Sequence, residues 1–241
     1  MRVSVILPAA GLGTRMKSGA AEKSGTSRKQ FMLLEGAPIL IHTIRKFVAC
    51  TLVDEVIVAA RGDDLAWVRE LVDRESFAKP VRVVEGGATR QHSVENGLAA
   101  VTPGTEIVAV HDAVRPFIDT ETIAKVIEQA AATGAAIVGI VPVDTVKQVQ
   151  GKRIRGTLNR DRLVLAQTPQ VFRVDLLRRA YAKANEDDFV GTDESSLVER
   201  LDDVEVSVVS GSDRNIKITK PSDMELANLY LKQDLEKAAT S

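Results

Sequence analysis

Short β-branched runs alternating with helical patterns constrain this 241-residue chain more than any other feature of its sequence. Arg2–Leu7 is a buried-strand run that stops at Pro8, and Glu55–Ala60, Val81–Glu85, Ile107–His111 and Ala135–Val141 repeat the type. Between them lie segments with apolar residues at three-and-four spacing: Pro38–Ala49, about Asp63–Asp73, Gln91–Val101 and Thr120–Ala132, the last opened by Thr120 as a cap candidate. Strand–helix–strand alternation predicts an α/β fold, a mainly parallel twisted sheet with helices on both faces. Ligands of such sheets sit beyond the carboxyl ends of the strands. The loops Pro8–Gln30, Gly86–Ser93 and Asp112–Pro116 are therefore expected to line one shared mouth.

From about Thr145 the rhythm changes. Thr145–Gln150 and Lys152–Thr157 read as a hairpin around Gln150-Gly151, too small to bury a core alone. Val174–Ala184 and Asp193–Leu201 read as helices, Glu205–Ser210 and Asn215–Ile218 as strands, and Pro221–Glu236 as a closing helix. Lysine plus arginine (32) nearly equals aspartate plus glutamate (33), which argues against a broadly basic nucleic-acid binder. One cysteine, Cys50, sets aside thiolate metal clusters, and the three scattered histidines form no zinc-protease pattern. No apolar run approaches the roughly 18–20 residues of a membrane span, so a cytoplasmic protein without a membrane partner is expected.

The strongest local signal is PAAGLGTRM, Pro8–Met16, directly after the first strand. Gly11 and Gly13 let the backbone turn tightly, its N–H groups can cradle phosphates, and Arg15 can reach a phosphate oxygen. A glycine-rich turn can also be merely structural. Met16 stands where a dinucleotide fingerprint needs a third glycine, and no Gly-Lys-Ser/Thr occurs. Lys17–Arg28 reads as a mobile loop, and Arg28, Lys29 and Gln30 after it are either solvated surface or, with Arg15, part of a cationic clamp on a polyphosphate. Asp112, in HDAVRPF, is placed to hold magnesium directly or through water, or else caps the local turn. Its neighbour Arg115 suggests an anionic second substrate. Gly86-Gly87 with Arg90 and Ser93 forms the third loop, Ser93 being equally an ordinary helix-start residue. Lys217 lies in NIKIT, where a strand lysine is unexpected unless one face meets solvent or an anion.

PAAGLGTRM, RKQF, the GG with Arg90 and Ser93, HDAVRPF, VDTVK, NRDRL, QTPQVF, TDESSLVE and NIKIT occur in the order seen in 2-C-methyl-D-erythritol 4-phosphate cytidylyltransferases. The chain resembles that family from Val3 to about Tyr230. The resemblance implies a single Rossmann-like nucleotidyltransferase domain over residues 1–241, with a β-arm at about 143–166 that crosses its counterpart in a homodimer. It implies transfer of CMP from CTP to 2-C-methyl-D-erythritol 4-phosphate with magnesium. By the same resemblance Arg15 and Lys29 stabilise the transition state, while Arg160 and Lys217 position the sugar phosphate. Pro8, Ala9, Ala10, Gly11, Gly13, Gly87 and Ser93 match positions around the nucleotide. Asp112, Ala113, Arg115, Thr145, Thr168 and Thr192 match positions near the metal, ribose or sugar phosphate, with Thr145 and Arg160 serving the partner's site.

Two features depart from the family: a longer loop between Met16 and Arg28, and Ala88 where some members carry an aspartate. A ribitol 5-phosphate cytidylyltransferase is the nearest alternative, but such enzymes tend to begin the loop with Ala-Gly-Gly, against Ala9-Ala10-Gly11 here. A non-catalytic CTP-binding module would have no need of Arg15 and Lys29.

Overall fold

The computed structural model describes residues 1–11 and 28–240, with the side chains of the last helix described as far as residue 237. The mainly parallel sheet is present. Its strands are β1 (Val3–Pro8), β4 (Glu55–Ala60), β5 (Val81–Glu85), β6 (Ile107–Val110), β7 (Ala135–Ile140), β10 (Leu165–Arg173) and β11 (Ser207–Ser210). They lie in the order β11-β7-β10-β6-β1-β4-β5. β1 pairs in parallel with both β4 and β6, and β11 with β7, while β10 runs antiparallel between β6 and β7.

Side-chain alternation along β1 explains why both faces carry helices. Val5 and Leu7 join one core with Ile44 and Phe47 of α1 (Ile39–Ala49), Val68 of α2 (Leu65–Arg74) and Ile127 of α4 (Thr120–Thr133). Ile6 points the other way, into a core with Val94 and Leu98 of α3 (Arg90–Ala99) and Leu177 and Tyr181 of α5 (Val174–Glu186). These side chains are almost wholly buried, and each such aliphatic side chain contributes roughly 1.5–3 kcal/mol. α3 approaches closely enough that a Cβ on Gly97 would fall 2.5 Å from Ile6 Cγ2. A third cluster, around Met32, Val114, Phe117, Ile218 and Met224, seats α7 (Pro221–Thr240) beside the carboxyl end of β6.

Several local expectations need correction. Asp119, not Thr120, caps α4: its Oδ1 accepts from Thr122 N–H at 2.6 Å, and Thr120 is the first helical residue. Asp63 and Asp64 fall in a 3₁₀ turn before α2. The Asp193–Leu201 helix contracts to α6 (Glu194–Val198), closed at its start by an Asp193–Ser196 capping box. Asn215–Ile218 is not a strand. The Asn215 amide instead donates to Gln167 Oε1 and to the Thr168 carbonyl, and Ile218 N–H donates to the Val114 carbonyl. The segment is thus a strap pinned between β10 and the turn after β6. β10 has no counterpart in the sequence reading, because Gln167-Thr168-Pro169-Gln170 looks like a loop. The ladder to β7 shifts register between Ala166 and Gln170, and that irregularity accommodates the proline.

The hairpin forms as expected, β8 (Lys147–Gln150) with β9 (Arg153–Thr157), joined by Gly151-Lys152 with Gly151 at φ 58°. It is its own two-stranded sheet, apart from the seven-stranded one. Val143, Val149 and Ile154 on and beside it are 78%, 61% and 65% exposed, an apolar surface that this chain leaves open. A short pair, β2 (Leu33–Leu34) and β3 (Ala37–Pro38), leads into α1. Among the described residues no helix is long and apolar enough to cross a membrane.

Candidate active site

The described parts of the three loops expected to share a mouth do so, around a cavity of about 290 Å³ at the carboxyl ends of β1, β4, β5 and β6; residues 12–27 of the first loop lie outside the described residues. Pro8, Ala9, Ala10 and Gly11 form one wall, Gly87 to Arg90 with Ser93 a second, and Asp112, Ala113 and Val114 a third. Lys29, Gln30, Arg61 and Lys217 complete the lining.

Backbone and buried side-chain hydrogen bonds hold the walls together. Ala9 N–H donates to the Ala59 carbonyl and Gly86 N–H to that of Ala60, so both loops leave the sheet in register. A Cβ on Gly86 would meet Ala10 Cβ at 2.8 Å, and one on Gly87 would meet His92 Cβ at 2.3 Å. Glycine is needed at both places for close approach. Ser93 is more than a helix-start residue: its Oγ accepts from Gly87 N–H at 3.1 Å and lies 2.8 Å from the Thr89 carbonyl, closing the glycine turn over α3. Gln30, 2% exposed, donates its amide to the Ala9 and Gly11 carbonyls at 2.6 and 3.1 Å. That bond fixes the segment carrying Lys29 against the glycine-rich loop. Behind it, Arg28 pairs with Asp64, and Phe31 meets Trp67 edge-on.

Among the described residues Asp112 is the one carboxylate in the lining, and its side chain turns to cations instead of capping the turn. Its Oδ2 meets Lys217 Nζ at 2.9 Å and Arg115 Nε at 3.2 Å, and its Oδ1 meets Arg90 Nε at 3.4 Å. Burial alone would raise its pKa; Lys217, Arg90 and Arg115 outweigh that and hold it well below the usual carboxylate range. The turn that aims it is wired from beneath. Asp112 N–H donates to Thr168 Oγ1, which lies 3.0 Å from His111 Nδ1, while His111 Nε2 lies 3.1 Å from the Arg115 carbonyl. Wholly buried His111 is pushed down to about 4, chiefly by that burial, so it is neutral near pH 7. Neutral His111 can then donate through Nε2 and accept from Thr168 through Nδ1.

Of the residues singled out in the sequence, Pro8, Ala9, Ala10, Gly11, Lys29, Gly87, Ser93, Asp112, Ala113 and Lys217 line this cavity. Arg115 and Thr168 touch Asp112 from behind. Gly13 and Arg15 lie outside the described residues. Thr145 and Arg160 are exposed on the arm side and do not line the cavity; Arg160 Nη1 donates to the Val143 carbonyl at 2.5 Å. Thr192 lines a separate small pocket beside Arg90. Sequence reasoning missed Arg61, although the rule that located the other loops, polar residues just past a strand, applies to it directly. It also missed Glu194, 1% exposed, which binds Arg90 at 2.7 Å.

Among the described residues the site combines a glycine-walled mouth, four cationic side chains in its lining and one carboxylate, a set suited to a polyanion, with no group of three metal-ligating side chains. The chain is 63% identical to the 2-C-methyl-D-erythritol 4-phosphate cytidylyltransferase of Solibacter usitatus, with all of both chains covered. It is 52% identical to the enzyme of the same name from Acidobacterium capsulatum, over 97% of this chain and 98% of that one. The solved structure of 4-diphosphocytidyl-2C-methyl-D-erythritol synthase from Anaerococcus prevotii superposes with a TM-score of 0.83 at 33% identity, covering 96% of each chain. The 2-C-methyl-D-erythritol 4-phosphate cytidylyltransferase model matches residues 3–233, and the chain belongs to that family.

Proposed function

We propose that this protein transfers CMP from CTP to 2-C-methyl-D-erythritol 4-phosphate, giving 4-diphosphocytidyl-2-C-methyl-D-erythritol and pyrophosphate. The observation that carries the reading is the cavity itself, whose single carboxylate is surrounded by cations within the fold of a cytidylyltransferase. An oxygen of the sugar phosphate attacks the α-phosphorus of CTP, the bond from that phosphorus to the β-phosphate breaks, and pyrophosphate leaves. A phosphate monoester has its second pKa near about 6 and is mostly dianionic at pH 7, so no general base is required. It also fits that His111, next to Asp112, is buried and neutral. The protein's task is alignment and charge neutralisation.

In this reading Lys29, with Arg15, faces the α-phosphate. The loop backbones of Pro8–Gly11 and Gly87, with Ser93, hold the nucleotide. Asp112, Arg115 and Lys217 receive the sugar phosphate, and Thr168 supports them from beneath. Among the described residues no group of three His, Cys, Asp or Glu side chains could cage a metal alone. Asp112 offers hard oxygen donors beside the phosphates, which suits magnesium, an ion usually held by one or two carboxylates plus substrate oxygens. Magnesium bound there would neutralise charge on the triphosphate. The exposed apolar arm supports a homodimer in which Thr145 and Arg160 reach into the second copy's site, with Thr192 nearby.

Pyrophosphate release from CTP and magnesium tests the reading, with methylerythritol phosphate in one tube, ribitol 5-phosphate in a second and excess chelator in a third. Release in the first alone is expected. Release with ribitol 5-phosphate alone would overturn the substrate, and full turnover in chelator would overturn the role of magnesium.

A further inference from the structure

Arg90 and Glu194 stand 104 residues apart in the chain and meet behind the cavity. The Arg90 guanidinium donates through Nη1 to Glu194 Oε1 at 2.7 Å and through Nε to Asp112 Oδ1 at 3.4 Å. Tyr181 Oη donates to the same Glu194 oxygen at 3.3 Å. Glu194 and Tyr181 are almost wholly buried. Three cations, Arg90, Arg115 and Lys217, thus share two carboxylates, Asp112 and Glu194. The network carries one positive charge in excess, which favours an arriving phosphate.

A purely architectural pair would pin α3 to α6 and be indifferent to substrate. Two observations point beyond that. Arg90 lines the cavity and turns its Nε–H to Asp112, the residue at the proposed sugar-phosphate end. The Glu194 carboxylate is buried with one oxygen, Oε2, that has no hydrogen-bond partner among the described residues, so Arg90 is its principal compensation. A buried acid tolerated in this way holds its cation firmly, because leaving either charge alone in the interior is costly.

We propose that Arg90, clamped from behind by Glu194 and Tyr181, is a positioning residue that fixes the Asp112 carboxylate and thereby the end of the cavity that receives the sugar phosphate. The proposal rests on the functional reading above. Its geometry separates the two substrates: Arg90 reaches Asp112, whereas the nucleotide walls are held by Gln30, Ser93 and backbone hydrogen bonds that do not involve its guanidinium.

The test measures KM and kcat for methylerythritol phosphate and the dissociation constant for CTP in the full-length wild type, Glu194→Gln, Arg90→Met and the double variant. Because a hydrogen bond between charged groups is involved, the KM for the sugar phosphate should rise about 10- to 100-fold in each single variant. CTP affinity, measured without magnesium because Asp112 is also the proposed magnesium ligand, should stay within about threefold. The double variant should be no worse than the poorer single one, as expected for residues acting as one unit. Tyr181→Phe removes only the hydroxyl and should raise the same KM about two- to fivefold, which keeps the test decisive if the charge variants do not fold. An unchanged KM in Glu194→Gln, or in Tyr181→Phe where the others fail, overturns the proposal. So does an equal loss of CTP affinity, which would mark the pair as architectural. A wild type that releases no pyrophosphate with methylerythritol phosphate overturns the functional reading and this proposal with it.

Discussion

Replacing Glu55 by glutamine should weaken the fold in a pH-dependent way and leave the chemistry alone. Glu55 opens β4 at the end of the sheet away from the cavity, about 17 Å from Ala60 at roughly 3.3 Å per residue. It is 3% exposed and accepts from Ser4 Oγ at 2.6 Å, Thr102 N–H at 2.9 Å, Thr102 Oγ1 at 2.8 Å and Arg82 Nη2 at 2.7 Å. Burial alone would raise its pKa, but these partners together lower it from 4.5 to about 2. A group depressed on folding stabilises the protein above its unfolded pKa and loses that contribution as pH falls through the folded value. The shift corresponds to roughly 3 kcal/mol at pH 7. Arg82 is 43% exposed and screened by solvent, so about 2 kcal/mol is the expected difference between wild type and Glu55→Gln. By pH 3, where most of the unfolded-state group is protonated and the folded one is titrating, the gap should shrink to about 1 kcal/mol. Urea unfolding at both pH values reads the gap, and pyrophosphate release at pH 7 and low temperature reads kcat. A gap that stays the same at both pH values would refute the linkage argument, and a kcat reduced in the folded variant would refute the separation of this network from the site.

Two further outcomes concern the site and the arm. Lys29→Ala should lower kcat by about 10²- to 10³-fold, the usual effect of removing one charge-stabilising donor, while titration calorimetry still finds CTP bound; near-normal turnover would remove its assigned role. Mixing an inactive Arg15→Ala subunit with an inactive Arg160→Ala subunit should restore part of the activity if the arm completes a second copy's site, and verified heterodimers with none would reject the crossed arm.

The fold was legible wherever a local pattern decides structure. β4 and β5 lie on the residues that periodicity selects, and the strand-end rule gathered Pro8, Gly87 and Asp112 into one cavity. Patterns that depend on distant partners were not legible. β10 is central although Pro169 interrupts it, because β6 and β7 flank it and a register shift absorbs the proline. NIKIT alternates like a strand, but Asn215 is drawn to the Thr168 carbonyl and Ile218 to Val114, so the segment becomes a strap. Glu194 sat in plain view within TDESSLVE, yet nothing in its spacing reveals that its partner is Arg90.

The strap and the Arg90 clamp lead to one physical point about how the site is built. Lys217 reaches Asp112 only because Ile218 N–H is tied to the Val114 carbonyl, two residues beyond the aspartate it meets. Arg90 reaches the same carboxylate from α3, and Arg115 from the turn itself. Cations from three separate elements would repel one another if Asp112 were absent or protonated; its strongly lowered pKa means that it remains charged far below neutrality. The carboxylate therefore keeps the three cations assembled on one side of the cavity. In the proposed reaction a phosphate dianion entering beside it would meet donors already oriented, which would spare the reorganisation that an open, solvated set of lysines and arginines would need.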